Sequence, residues 1–334
     1  MSGETEVPDS VARRRTSAVA SCDLCGHDRQ HALADADTSR CRIVMCKHCG
    51  LFFASPSLST DLLGEFYDEE FEGDAGTNKR VNGGDIEPRK ITVEDRIART
   101  WAMPLIERWI EVSGKRVLDI RCRSGALAEA LSEAGATVTA IDPLMPNVSY
   151  AQRRSAIHDV RFVSIDEFER LSGFDDEQFD IITVLSIHLL SHSPSPRKLM
   201  ERLYALLKPG GYLFLDEKDV FYPVRAIGET VFDSGPAHFF HFTTETLRKY
   251  YQRVGFEILQ CDIDPVRKKS SRHIRSVVRK PETVLRDGAE NSVVACDADQ
   301  VVAALARADR KLRRNNGFNK FMRKARRAAR RLWK

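Results

Sequence analysis

An apolar strand, a tight turn and a helix follow one another without interruption in RVLDIRCRSGALAEALSEAG, residues 116–135. Val117, Leu118 and Ile120 supply the strand, Ala126 to Ala134 the helix, and Gly135 is placed to end it. Ahead of this unit, Trp101, Leu105, Trp109 and Val112 fall on one helical face that Gly114 closes. Behind it, strands are predicted at TVTAI (137–141), VRFV (160–163), FDIITVL (179–185) and YLFLD (212–216). Helices are predicted at 196–207, stopped by KPGG (208–211), and at 243–255, opened by threonines and closed by Gly255. FEILQC (256–261) and HIRSVV (273–278) read as late strands. Strands that are apolar throughout and alternate with helices imply a parallel sheet covered on both faces, a doubly wound α/β fold. Such sheets bind ligands beyond the carboxyl ends of their strands, which puts the 119–125 turn at the ligand.

A turn that brings backbone close to a nucleotide is ordinarily rich in glycine. This one has only Gly125 and carries Arg121 and Arg123 instead. Each guanidinium has three dispositions open to it: out into solvent, into the volume a ligand would fill, or onto an anionic group of the ligand. Asp142 ends the second strand, 17 positions beyond Gly125. It reads equally as the acceptor of two ribose hydroxyls or as the start of the turn before Pro143.

Four of the eight cysteines form two tight pairs, CDLCG (22–26) and CKHCG (46–50). A glycine after each pair lets the backbone turn with its N–H groups towards sulfur. Cys22, Cys25, Cys46 and Cys49 then make four soft ligands of the kind that suits Zn²⁺. A closed four-thiolate site leaves no position for water, so the predicted zinc is structural and folds a small ribbon. RIVMC (42–46) is the ribbon's predicted strand.

Charge is unevenly distributed. Residues 307–334 hold 13 Lys/Arg against Asp309, a balance of +12, which leaves −8 for residues 1–306 in a chain of net +4. Phe318, Phe321, Met322, Ala325, Ala329, Leu332 and Trp333 share one face of a helix drawn through this tail. The pattern predicts a basic amphipathic helix with an anionic membrane surface as partner, beside the alternative of a solvated tail. Residues 1–20 have no apolar core and read as a disordered leader, and no apolar run approaches the ~20 residues of a membrane-spanning helix. Cytoplasmic location is expected, peripheral to a membrane where the tail engages one.

VLDIRCRSG, AIDP (140–143), FDIITVLSIHLLSHSPSP (179–196), LLKPGGYLFLD (206–216) and HFFHFTTETLRKYYQRVGFEI (238–258) together resemble a class I S-adenosylmethionine-dependent methyltransferase. The cysteine pairs followed by GLFFASPSLSTDLLGEFYDEEF (50–71) resemble the zinc-ribbon leader of a subgroup that acts on sugars or small metabolites in glycan and natural-product pathways. The resemblance implies a Rossmann-like sheet of seven strands with the last antiparallel, preceded by the ribbon. It divides the chain into a leader (1–20), a zinc ribbon (21–60), a connecting segment (61–100), a methyltransferase domain (101–280) and an extension with the basic helix (281–334). Carried over residue by residue, it implies cofactor roles for Asp119, Arg121, Cys122, Arg123, Gly125, Asp142 and Asp166. His192 matches a frequent histidine beyond the fourth strand, with Ser191 where an acid usually stands. His238 and His241, before the last helix, are candidate bases.

Three functions follow from these residues. The first is methyl transfer from S-adenosylmethionine to a small-molecule or sugar acceptor. The second is a degenerate methyltransferase fold, its cofactor loop spoiled by Arg121 and Arg123, that binds or assembles without catalysis. The third, which ranks last because no recognition motif accompanies the basic tail, is association with nucleic acid.

Overall fold

The computed structural model describes residues 21–33, 42–55, 88–143, 145–154, 157–163, 171–174, 178–185, 189–221, 239–263, 273–283, 293–307 and 310. The leader, the basic helix of the tail, Asp166 and His238 lie outside the described residues.

The main sheet has seven strands: β4 (Arg116–Ile120), β5 (Thr137–Asp142), β6 (Asp159–Phe162), β7 (Phe179–Val184), β8 (Leu207–Lys218), β10 (Glu257–Ile263) and β11 (His273–Arg279). Their spatial order is β10-β11-β8-β7-β4-β5-β6. The pairings β6–β5–β4–β7–β8 are parallel, and β11 runs antiparallel to both of its neighbours. This is the Rossmann-like arrangement expected from the sequence, with its last strand reversed. The central strands are apolar on both faces because both are covered. Val117, Leu118, Ile120, Ile181 and Ile182 have no exposed surface.

The helices carry the signals that their sequences advertise. Ser195 caps the helix α6 (Pro196–Leu206) by accepting the Lys198 N–H. Thr243 and Thr246 form a reciprocal capping box on α7 (Thr244–Val254), and Gly255, at φ 100°, ends it. Three boundaries differ from expectation, the first being the helix whose apolar face was expected to reach Val112 and Gly114 but which ends at Glu107. KPGG (208–211) does not stop before the strand but lies inside β8. There it forms an irregularity in which Gly210 N–H donates to Lys280 O at 2.8 Å and Lys280 N–H to Gly211 O at 2.9 Å. A side chain on Gly211 would meet the Lys208 carbonyl at 2.9 Å, so the glycine is required by close approach of backbone. The helix before β4 begins earlier than its apolar face suggests. It runs as α1 (Pro88–Ile97), a π-helical turn over Ala98–Ala102 and α2 (Met103–Glu107).

A second sheet, antiparallel, has the order β1 (Gln30–Ala32), β2 (Arg42–Cys46), β3 (Phe52–Ser55) and β9 (Phe240–His241). Its fourth strand is contributed by the main domain: Phe52 pairs with His241 and Phe53 with Phe240. Leu24, Leu51 and Phe53 share one buried cluster with Leu118, Leu190 and Tyr250. Burying each such leucine is worth about 1.5–3 kcal/mol. The other face of the small sheet packs against Leu305, Val301 and Val302, in a helix over 298–307. No helix among the described residues is long and apolar enough to cross a membrane.

Candidate functional site

The turn after β4 keeps a left-handed backbone at three places: Arg121 (φ 62°), Arg123 (φ 54°) and Gly125 (φ 76°). Glycine is required at 125, since a Cβ there would lie 2.9 Å from both Ala151 Cβ and Ile157 Cδ1. At 121 and 123 the same backbone carries side chains, at about 1–2 kcal/mol of strain each. Local bonds offset that strain. Cys122 N–H donates to Ile141 O and Gly125 N–H to Cys122 O. Arg123 N–H donates to Asp142 Oδ2 at 3.0 Å. The Arg123 guanidinium turns back onto α1 and pairs with Glu94 Oε1 at 2.8 Å, while Ser124 N–H donates to Glu94 Oε2 at 3.3 Å. Arg121 is 7% exposed and lines a cavity of about 210 Å³ beside the turn.

The cavity opens over the carboxyl ends of β4, β7 and β8. Asp119, Leu185 and Asp216 form part of its wall, with His273 from the start of β11. Asp119 accepts the Thr183 hydroxyl at 2.7 Å, and its Oδ2 is buried without a hydrogen-bond partner. Burial pushes the Asp119 carboxyl up to about 7, against the opposing Thr183 hydrogen bond. Burial likewise raises the Cys122 thiol, which keeps it protonated and unreactive. Asp216 Oδ2 lies 2.9 Å from His273 Nδ1, and Asp216 Oδ1 is buried without a partner.

Glu94, Ile97, Ala98, Trp101 and Ala102 close the cavity from α1 and its π-helical turn. Ion pairs fasten this wall to the helices beneath: Asp95 to Arg154 at 2.8 Å, Arg154 to Glu129, and Arg99 to Glu133 at 2.6 Å. The Arg275 guanidinium sits 4.2 Å above the Trp101 ring.

Of the sequence-predicted residues, the structure gathers Asp119, Arg121, Cys122 and Arg123 around the cavity. Gly125 caps α3 (Ala126–Glu133) and packs on Ala151 and Ile157. Asp142 has no exposed surface. Its two oxygens accept Arg123 N–H and Asn147 Nδ2–H, both at 3.0 Å. A ribose hydroxyl therefore cannot reach it without movement of the turn. His192 ends the short helix α5 (Leu189–His192), and His241 lies in β9 paired with the small sheet. Sequence reasoning passed over Asp216, His273, Glu94 and Trp101. Asp216 and His273 had one available signal: each is a polar residue in an apolar strand, near its ligand-binding end.

The second candidate centre is the four-cysteine cluster. Both knuckles fold alike: Gly26 N–H returns to Cys22 O and Gly50 N–H to Cys46 O, with φ of 78° and 81°. The four sulfurs lie within 4.8 Å of one another, with Cys22–Cys49 at 3.4 Å and Cys25–Cys46 at 3.5 Å. A tetrahedron with metal–sulfur bonds of about 2.3 Å has edges of about 3.8 Å, so this donor set fits Zn²⁺. Hydrogen bonding to Cys22 brings the Cys46 thiol down to about 6 and lowers Cys25, while the proton is held on Cys22 by its contact with Cys25. The cluster is tied to the main domain through Asp23, which accepts from the Ser195 hydroxyl (2.5 Å), Arg197 N–H (2.9 Å) and the Tyr250 hydroxyl (2.8 Å).

Known proteins resemble the chain at this domain. A ubiquinone biosynthesis O-methyltransferase of Actinobacillus pleuropneumoniae is 40% identical over 106 residues, which cover 30% of this chain and 44% of that one. The Pseudomonas entomophila protein of the same name is 38% identical over 117 residues, covering 33% and 49%. The chain thus spans less than half the length of these curated relatives. Among solved structures, a Burkholderia thailandensis 1,6-didemethyltoxoflavin-N1-methyltransferase, with S-adenosylhomocysteine bound, aligns at 19% identity and a TM-score of 0.47, over 76% of this chain and 99% of that one. The model of the methyltransferase domain family matches residues 93–261, just over half of the chain and a span that holds the 119–125 turn, and the chain belongs to this family.

Proposed function

We propose that the chain binds S-adenosylmethionine in the cavity beside the 119–125 turn and transfers its methyl group to a small-molecule acceptor. The observation that carries this reading is Asp119: a buried carboxyl with an unpaired oxygen, in the wall of a cavity at the carboxyl ends of the strands. Such an oxygen suits the positive charge of a sulfonium amino acid. When bound, that compound supplies a methyl group on sulfur, open to in-line attack. Asp119 would hold its cationic half, and the helix carrying Trp101 would shut out water. A sugar acceptor is supported by the ribbon's resemblance alone. We also propose that Cys22, Cys25, Cys46 and Cys49 hold a structural Zn²⁺, supported by the fit of the sulfur distances to a tetrahedron. Calorimetric titration with S-adenosylmethionine and S-adenosylhomocysteine tests the cofactor reading: saturable binding of both is expected, and no heat from either overturns it.

One observation favours the degenerate reading. Asp142, the acid that would meet the ribose, is fully buried and already serves Arg123 and Asn147. That reading requires calorimetry to detect neither compound.

A further inference from the structure

Two titratable groups in the cavity wall play no part in the turn. Asp216, on β8, is 3% exposed, and His273, the first residue of β11, is 8% exposed. The strands are antiparallel neighbours in which Asp216 faces Arg275 and Lys218 faces His273, so the histidine stands diagonally across from the aspartate. Their side chains meet at 2.9 Å between Nδ1 and Oδ2. A carboxylate can only accept, so this contact puts the imidazole proton on Nδ1 and makes Nε2 the basic nitrogen. Asp216 Oδ1, buried and unpaired, is a second acceptor in the same wall. A carboxylate that orients an imidazole and balances the charge it gains is the arrangement by which proteins make a general base.

We propose that His273 is the general base of the reaction, positioned by Asp216, and that the acceptor is a hydroxyl or amine donor bound against this pair. The proposal rests on the methyl-transfer reading. As the acceptor oxygen bonds to the methyl carbon, its O–H bond breaks and the proton passes to His273 Nε2. The C–S electron pair stays on sulfur, and Asp216 balances the imidazolium charge. The pair lines the same cavity as the turn, with β7 between its strand β8 and β4, so the donor and acceptor of the methyl group have separate anchors: Asp119 for one, Asp216–His273 for the other.

The test uses the full chain labelled with ¹⁵N-histidine, saturated with S-adenosylhomocysteine, and catechol as a probe with two O–H donors. Nuclear magnetic resonance should find neutral His273 protonated on Nδ1, and catechol should move its Nε2 resonance. The opposite tautomer, or an unmoved resonance, overturns the proposal. Methyl transfer to catechol should fall at least about a hundredfold in His273→Gln, and at least about tenfold in Asp216→Ala. Affinity for S-adenosylhomocysteine, measured by calorimetry, should stay within about threefold in His273→Gln, as a check on folding. Equal transfer by the natural chain and His273→Gln, zero included, overturns the base. Absence of S-adenosylhomocysteine binding by the natural chain is read separately and overturns the methyl-transfer reading itself.

Discussion

Arg123 donates its backbone N–H to Asp142 Oδ2 at 3.0 Å while its guanidinium turns away to Glu94. The left-handed residue thus fastens the turn to the end of β5 and to the cavity-closing helix together. Arg121→Gly, Arg123→Gly would release both the backbone restriction and the ion pair. Affinity for S-adenosylmethionine should rise at least about tenfold, or ~1.4 kcal/mol, with little change in melting temperature, because relieved strain is offset by unfolded-state entropy. Calorimetry on the two chains reads the difference, and equal affinities would show that neither side chain obstructs the ligand.

Gly125 is the position in this turn where substitution should be costly for stability. Gly125→Ala adds a Cβ at 2.9 Å from two neighbours and strains a φ of 76°. The expected loss is about 2–4 kcal/mol. Urea unfolding measures it, and a loss below about 1 kcal/mol would mean that the α3–α4 contact, with α4 spanning Met145–Ala151, yields easily.

Asp119 gives the fold a pH dependence of definite sign. Its carboxyl sits at about 7 in the folded chain, against ~3.9 unfolded. The unfolded chain therefore loses this proton first as pH rises. Stability from the neutral carboxyl is full below about pH 4 and is lost as the pH climbs through about 7, by roughly 4 kcal/mol on simple linkage. Asp119→Asn has no proton to lose. Unfolding curves at about pH 4.5 and pH 7 should show the natural chain losing ground to Asp119→Asn at the higher pH. A constant difference between them would place the carboxyl's titration outside this window.

Removal of metal should be felt beyond the ribbon. Cys46→Ser, or chelation of the natural chain, should abolish amide protection over 22–55 and also over 239–242, since Ala54 N–H donates to Phe239 O and β3 pairs with β9. The main sheet should persist. Hydrogen exchange reads both regions, and elemental analysis of protein prepared under reducing, chelator-free conditions should return about one zinc per chain; absence of zinc sinks the assignment.

The basic tail, outside the described residues, is tested by sedimentation with anionic vesicles. The full chain should pellet and residues 1–306 should not, and equal binding would exclude a tail-mediated contact. Ending at 306 retains Leu305, which packs on the small sheet.

The central strands were legible in the sequence because burial on both faces leaves a nearly unbroken apolar run, and α7 because its threonine cap and Gly255 mark both ends. KPGG was rightly read as ending the helix, which stops at Leu206, but its place inside the following strand was missed because proline and glycine ordinarily lie between elements. Here they form an irregularity that Lys280 completes from a distant segment. The start of α1 was hidden because Glu94, Asp95 and Arg99 hold it by ion pairs, which leave no apolar stripe. Asp119 was singled out through the family resemblance, and the structure sets it in the cavity wall. The Asp216–His273 pair was not, since it joins residues 57 apart through a register that only the folded sheet defines.

The pairing of Phe240–His241 with Phe52–Phe53 also sets an order on biosynthesis. Both cysteine knuckles leave the ribosome before the methyltransferase domain, and the proposed zinc could gather them at once. Their sheet nevertheless lacks its last strand until residue 241 has emerged. Closing so long a loop costs entropy that grows only slowly with its length, and such non-local pairing forms slowly. The nascent ribbon therefore carries an open strand edge until residue 241 has emerged, and its sheet can be completed while α7, β10 and β11 of the main domain are still to be made.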